Sequence, residues 1–189
     1  MDEQTIQEAR EGSRDAQSRL LRGLQDDWFR FCMSQLRDPD QAGDAAQETG
    51  LRVLTSLSRF DGRSTLKTWT IGIALNVCRE IRRRELRRGG MSGIDPNDEP
   101  ASDIRGAFLG NEPGAGDGAG TAERRDDAAA LRDVLASLPV RQREAVTLRF
   151  FEEMSVQETA KAMDCAEGTV KATLFAAMRN LRQRMERRK

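Results

Sequence analysis

The chain has 189 residues, enough for one or two small domains. It is 38% hydrophobic and 33% charged, with 5% aromatic residues and no Tyr, so any core is small and mostly aliphatic. Histidine is absent, which removes His-based triads, His metal sites and the usual general base.

No apolar run approaches the roughly 18–20 residues that a membrane span needs. The N-terminus, MDEQTIQEAREGSRD, is acidic and polar, unlike a signal peptide, so a cytoplasmic protein without membrane insertion is expected. The three cysteines, Cys32, Cys78 and Cys165, are far apart in sequence and lie in apolar contexts, as reduced, buried cysteines do. The formal net charge is zero but unevenly spread: −5 over residues 1–50, +7 over 51–90, −6 over 91–133, −1 over 134–166 and +5 over 167–189. Two basic blocks separated by an acidic stretch suggest two contacts with a polyanion.

Ser13 is placed to cap a helix running to about residue 37, with Leu20, Leu24, Trp28, Phe31 and Leu36 as its apolar stripe and Leu21 and Cys32 widening it. Asp38 and Pro39 end that helix and start the next as N-cap and first residue. The second helix, 39 to about 58, buries Ala42, Ala46, Val53, Leu54 and Leu57 and carries Asp44, Gln47, Glu48 and Arg52 outside. Asp61-Gly62 signals a turn, and Ser64 is the next N-cap candidate. Phe60 beside that turn reads either as core or as a stacking platform for an unpaired base. A third long helix, 65 to about 88, has Leu66, Trp69, Ile73, Val77 and Ile81 as its stripe. Its far end holds Arg79, Arg82, Arg83, Arg84, Arg87 and Arg88, with two acids among them. That is either a solvated run or a face for an anionic partner, and so much repulsion favours the partner.

Residues 89–120 are rich in Gly, Pro and Asp and read as an acidic flexible linker, interrupted by SDIRGAFLG. Helical periodicity then resumes with Ala128, Leu131, Val134, Leu135 and Leu138. Leu138-Pro139 restarts the chain, and a helix over 140–151 turns Ala145, Val146, Leu148 and Phe150 or Phe151 inward. Ser155 with Glu158 forms a capping box for a short helix. Asp164 fits a left-handed turn, and a longer helix starts near Glu167. Val170, Leu174, Ala177, Leu181 and Met185 share its inner face, and Thr169, Lys171, Thr173, Arg179 and Arg182 its outer one. The pair reads as a helix-turn-helix for the major groove, or as a surface hairpin with a solvated basic face. The fold class expected is all-α: two small helical domains over 12–88 and 123–189, joined by a flexible linker over 89–122.

Two blocks together resemble a known family. DAAQETGLRVLTSLSRFDGRSTLKTWTIGIALNVCREIRRR resembles domain two of bacterial sigma factors of the extracytoplasmic-function (ECF) group. LPVRQREAVTLRFFEEMSVQETAKAMDCAEGTVKATLFAAMRNLRQRM resembles their domain four, in the correct order and beyond a linker. The resemblance implies a transcription initiation subunit that binds core RNA polymerase, reads a melted −10 element with domain two and a duplex −35 element with domain four. Carried over, Asp44, Gln47, Glu48 and Arg52 match the polymerase-facing helix. Phe60, Asp61, Gly62, Arg63, Ser64 and Lys67 match the loop that captures a flipped −10 base. Asn76, Arg79, Arg82, Arg83 and Arg84 match the helix that follows the strand. Thr169, Lys171, Thr173 and Phe175 match the −35 recognition helix, with Arg179 nearer the backbone. Partners implied are core polymerase, promoter DNA and an anti-sigma factor of the kind that holds many relatives. The linker's acidity suits nucleic-acid mimicry in the polymerase cleft, and disorder explains its composition equally well.

The sequence departs from that pattern in several places. Gly50 stands where the family has a bulky aromatic, Leu75 where a basic residue is common, and Glu80 where the usual acid is one methylene shorter. Ala172 and Ala176 replace polar recognition residues, and Ala166 is a poor N-cap, so −35 readout is expected to lean on shape and phosphates. Two other functions compete. A sigma mimic would sequester an anti-sigma factor without initiating transcription and has no need of DNA-facing charge. A DNA-acting enzyme would need a carboxylate cluster, a phosphate-cradling Gly loop or a cofactor site, and the sequence offers none. No catalytic residue, metal or cofactor is therefore expected. The free protein is expected to be a monomer whose two domains move independently.

Overall fold

The computed structural model describes residues 2–89 and 134–186. The linker beyond residue 89, the SDIRGAFLG segment, Ala128 and Leu131 lie outside the described residues, as does the Met185 side chain. Among the described residues every regular element is helical.

Helix α1, Glu3–Arg10, was not foreseen from the polar N-terminus. Asp2 caps it, its Oδ1 accepting from the Thr5 amide at 2.7 Å, and Ala9 is buried. Gly12, at φ +94°, turns the chain into α2, Arg14–Leu36, capped by Ser13 as expected. Leu20, Leu24, Trp28, Phe31 and Cys32 bury the predicted stripe. Arg37 ends α2 in the left-handed conformation, φ 65°. Asp38 caps α3, Pro39–Ser56, and its side chain accepts from the Gln41 amide at 2.9 Å. The helix stops two residues before the predicted end and tightens into a 3₁₀ turn, Leu57–Arg59.

The cap of α4, Leu66–Arg88, is Thr65 and not Ser64. Thr65 Oγ1 accepts from the Thr68 amide at 3.0 Å, which satisfies one of the open donors of the first turn. The expected stripe of α4 is also rotated. Leu66 and Val77 are buried, but Trp69, Ile73 and Ile81 are only partly so, while Ile71, Ala74, Leu75 and Cys78 are fully buried. The reason is that α4 is covered on more than one side: it packs on α2 and α3 and also meets the second helical unit.

That second unit contains α5 (Val140–Val146), α6 (Val156–Met163) and α7 (Glu167–Glu186). Between α5 and α6 the helix widens into a π-helical turn, Thr147–Phe151. The extra residue per turn rotates the following side chains, so Phe150 and Phe151 both face outward, 52% and 50% exposed, where one was expected inside. The capping box of α6 is present: Ser155 Oγ accepts from the Glu158 amide at 3.1 Å, and the Glu158 carboxylate accepts from the Ser155 amide at 2.9 Å. Asp164 adopts the left-handed turn at φ 53°, ψ 57°.

The two units are packed together, contrary to the expected independence. Helix α4 meets α6, and α2 meets α5. Ala145, Leu148, Met154, Ala160, Met163 and Val170 join the same apolar cluster as the core of the first unit. Cys32 and Cys78, remote in sequence, sit against each other across α2 and α4; that contact and burial hold the Cys78 thiol well above its ordinary range. Cys165 is only half-buried.

Candidate nucleic-acid and polymerase surfaces

Four groups of predicted residues occupy four different settings. The outer face of α3 carries the first. Asp44 and Gln47 are exposed and Glu48 half-exposed. Arg52 is fixed in place: Nε donates to Glu48 at 2.7 Å, and both terminal nitrogens donate to Glu80 on α4 at 2.6 and 2.7 Å. These bonds, Glu80's first, raise the Arg52 pKa, and in return Arg52 holds the Glu80 carboxyl below its ordinary value. The extra methylene of Glu80 is thus compatible with a two-pronged bridge to the arginine. Sequence reasoning missed Leu51, 62% exposed on the same face; its signal was an apolar residue out of phase with the α3 stripe.

The second group is the loop before α4. Phe60 is buried against Trp69, with ring centroids 5.3 Å apart, so it serves as core here and not as an open stacking platform. Asp61, Gly62 and Arg63 are exposed beyond it, with Ser64 half-buried. Gly62 takes φ +73°, Asp61 Oδ1 accepts from the Arg63 amide at 3.0 Å, and its other oxygen lies 3.2 Å from Arg63 Nε. The loop is therefore pinned by its own aspartate and projects from an aromatic base. Lys67 does not point into open solvent: Nζ lies 3.2 Å from Glu152 and 3.6 Å from Asp27. Burial pulls the Lys67 ammonium pKa down, but the two carboxylates outweigh it and leave it raised. For Glu152 burial dominates and pushes the carboxyl up despite Lys67.

The third group divides. Asn76, Arg83 and Arg84 are exposed along α4. Arg79 and Arg82 are instead taken into the junction between the units, where the sequence had suggested a solvent-facing basic run. Arg79 donates from Nε and one Nη to Glu144 of α5 at 3.2 and 2.7 Å, and Arg82 bonds the same carboxylate. Glu144 is 0% exposed. Neither Glu144 nor Glu152 was singled out from the sequence, because nothing local distinguishes an acid that faces another domain from one that faces water.

The fourth group lies on α7. Val170 and Ala177 are buried, Leu174 and Leu181 half-buried, and the opposite side presents Thr169, Lys171, Phe175 and Arg179, with Thr173 half-exposed. Phe175 is 74% exposed and Met178 42%, so the outer face is both basic and apolar. No side-chain cap closes the start of α7; the Thr169 and Val170 amides bond the Ala166 carbonyl at 2.9 and 3.2 Å. Among the described residues no cluster of His, Cys, Asp and Glu could hold a metal ion, and no helix is long and apolar enough to cross a membrane.

Comparison with known proteins matches the two helical units to two families. Sigma-70 region 2 matches residues 20–88, and Sigma-70, region 4 matches residues 128–181. The chain is 31% identical over 161 residues to the ECF RNA polymerase sigma factor SigX of Bacillus subtilis, covering 85% of this chain and 78% of that one. It is 28% identical over 177 residues to the RNA polymerase sigma-H factor of Pseudomonas aeruginosa, covering 93% and 89%. In fold it resembles the sigma factor RpoE of Bartonella quintana, solved with the anti-sigma factor NepR, at a TM-score of 0.65 and 22% identity over 89% of this chain and 96% of that one. It equally resembles CnrH solved with the cytosolic domain of CnrY, at a TM-score of 0.65 and 18% identity over 98% and 97% of the two chains. Two all-helical units in this order, with the regional matches and the relative covering most of both chains, place this chain among the ECF RNA polymerase sigma factors, the DNA-binding regulators of transcription initiation.

Proposed function

We propose that this chain is an alternative sigma factor that binds core RNA polymerase through the outer face of α3 and directs initiation at promoters with separate −10 and −35 elements. The observation that carries the reading is α7. A buried inner face and an outer face of Thr169, Lys171, Thr173, Phe175 and Arg179 give a helix of the width and charge that a major groove accepts. The loop from Phe60 to Lys67 and the α4 residues Asn76, Arg79, Arg82, Arg83 and Arg84 then handle the melted −10 strand, whose phosphates they neutralise. Asp44, Gln47 and Glu48, with Leu51 between them and Arg52 held by Glu80, form the polymerase-facing surface. Strand separation is driven by binding energy, and this chain hydrolyses no nucleotide.

An anti-sigma factor is the expected regulator, by analogy with the complexes in which RpoE and CnrH were solved. The protein works in the cytoplasm. The exposed alanines Ala172 and half-exposed Ala176 reduce polar contact with bases, so −35 readout leans on shape and phosphates.

Transcription of a genomic DNA library by core polymerase, with and without this protein, tests the reading when the starts are sequenced. Discrete new starts sharing a sharp −10 motif and a more degenerate −35 motif are expected. Binding to core polymerase without any new start would instead favour a sigma mimic. No binding to core would overturn the role given to the α3 face.

A further inference from the structure

We infer that the packed form of this protein is self-inhibited: Glu144 of the second helical unit occupies the arginine cluster of α4 in the way a DNA phosphate would, so the unit must undock before the −10 strand can bind. The inference rests on the assignment of Arg79 and Arg82 to the −10 strand.

The cluster has the composition of an anion site. Arg79 closes on the Glu144 carboxylate with two donors, Arg82 bonds the same group, and Arg141 stands 3.9 Å away. Arg79 and Arg141 also reach the Met163 carbonyl, at 3.5 and 3.0 Å. Three guanidiniums therefore surround one carboxylate, and the excess charge stays uncompensated within the cluster. Arg82 keeps Nε and one terminal nitrogen without a protein partner. Such a site binds its internal acid while remaining open to competition from a polyanion that brings more charge and more acceptors.

A second clasp acts on the neighbouring surface. Glu152, just after the π-helical turn, takes Lys67. Thus three of the groups assigned to the −10 strand, Lys67, Arg79 and Arg82, are paired with acids of the other unit at once. The remaining polar ties are uncharged on one side: Arg37 donates to the Ala136 carbonyl at 3.1 Å, and Arg143 to the Gln35 carbonyl at 3.3 Å. Breaking one member of a buried ion cluster leaves the others uncompensated, so docking is sensitive to a single carboxylate. Docking and strand binding use the same donors, and each therefore weakens the other by the same factor.

The test uses the full chain, a fluorescent single-stranded oligodeoxynucleotide of random sequence, and small-angle scattering on the same samples. Glu144→Gln keeps the shape and removes the charge. The variant is expected to expand in solution and to bind the oligonucleotide about fivefold or more tightly than wild type. Adding Arg79→Ala and Arg82→Ala is expected to abolish that gain. Should Glu144→Gln fail to fold, Glu152→Gln gives the same comparison at the half-buried clasp, with Lys67→Ala as its reversal. Expansion without a gain in affinity overturns self-inhibition. In that event the arginine replacements separate the two ideas: if they lower binding, the −10 assignment stands and only the inhibition fails; if they leave it unchanged, the assignment fails too.

Discussion

Gly50 shows how a local departure can be read from its surroundings. A Cβ placed there would lie 3.3 Å from Leu21 Cδ2 and 3.3 Å from Trp28 Cζ3, closer than side-chain carbons settle without movement. Trp28, fully buried on α2, fills the volume that an aromatic on α3 would otherwise take. The glycine is the counterpart of that tryptophan, and no loosening of α3 is seen in its helical geometry. Gly50→Phe should destabilise the protein by about 1–3 kcal/mol through overpacking, seen as a lower thermal midpoint. Unchanged stability would mean that Trp28 swings away freely. Leu75 follows the same logic: fully buried, it sits where no basic side chain could be solvated in this packed form.

At the level of elements, capping chemistry was the most legible signal. Ser13, Asp38 and Ser155 all begin the helices that their side chains predicted, because each satisfies donors that the first turn leaves open. The failures have equally physical causes. Ser64 and Thr65 are adjacent cap candidates, and only the geometry of the loop selects Thr65. The π-helical turn has no local signature, so the outward rotation of Phe150 and Phe151 could not be read from a 3.6-residue period. For the box on α6, Ser155→Ala should destabilise the protein by about 1 kcal/mol near neutral pH. Hydrogen bonds from the Ser155 backbone and side chain hold the Glu158 carboxyl below its ordinary value of 4.5. A depressed carboxyl stabilises the fold above the unfolded value and loses that contribution as pH falls through the folded one. The stability gap between Glu158→Gln and wild type should therefore be full above about pH 5 and shrink on acidification; a gap independent of pH would refute the box as its origin.

For the molecule as a whole, the two helical units and their order were legible, and their packing was not. The stripe of α7 and the alternation of basic and acidic blocks are local properties of the chain. The partnership of Arg79 and Arg82 with Glu144 spans more than sixty positions and leaves no periodic trace, so a cluster that reads as DNA-facing becomes an internal junction. The shared apolar cluster predicts cooperative behaviour. Wild-type protein should unfold by calorimetry in one transition, and Glu144→Gln should split it into two as the units uncouple. Two transitions already in the wild type would show that the shared packing does not couple them.

The placement of the two tryptophans has a practical consequence for following these events. Both Trp28 and Trp69 lie in the first unit, and Tyr is absent from the chain. Intrinsic emission is therefore blind to the unfolding of α5–α7, whereas far-ultraviolet circular dichroism sees every helix. A denaturation curve recorded by both optical signals separates the halves without any label. Because Trp69 stacks on Phe60 at the base of the −10 loop, its emission also provides a native reporter of whatever docks there.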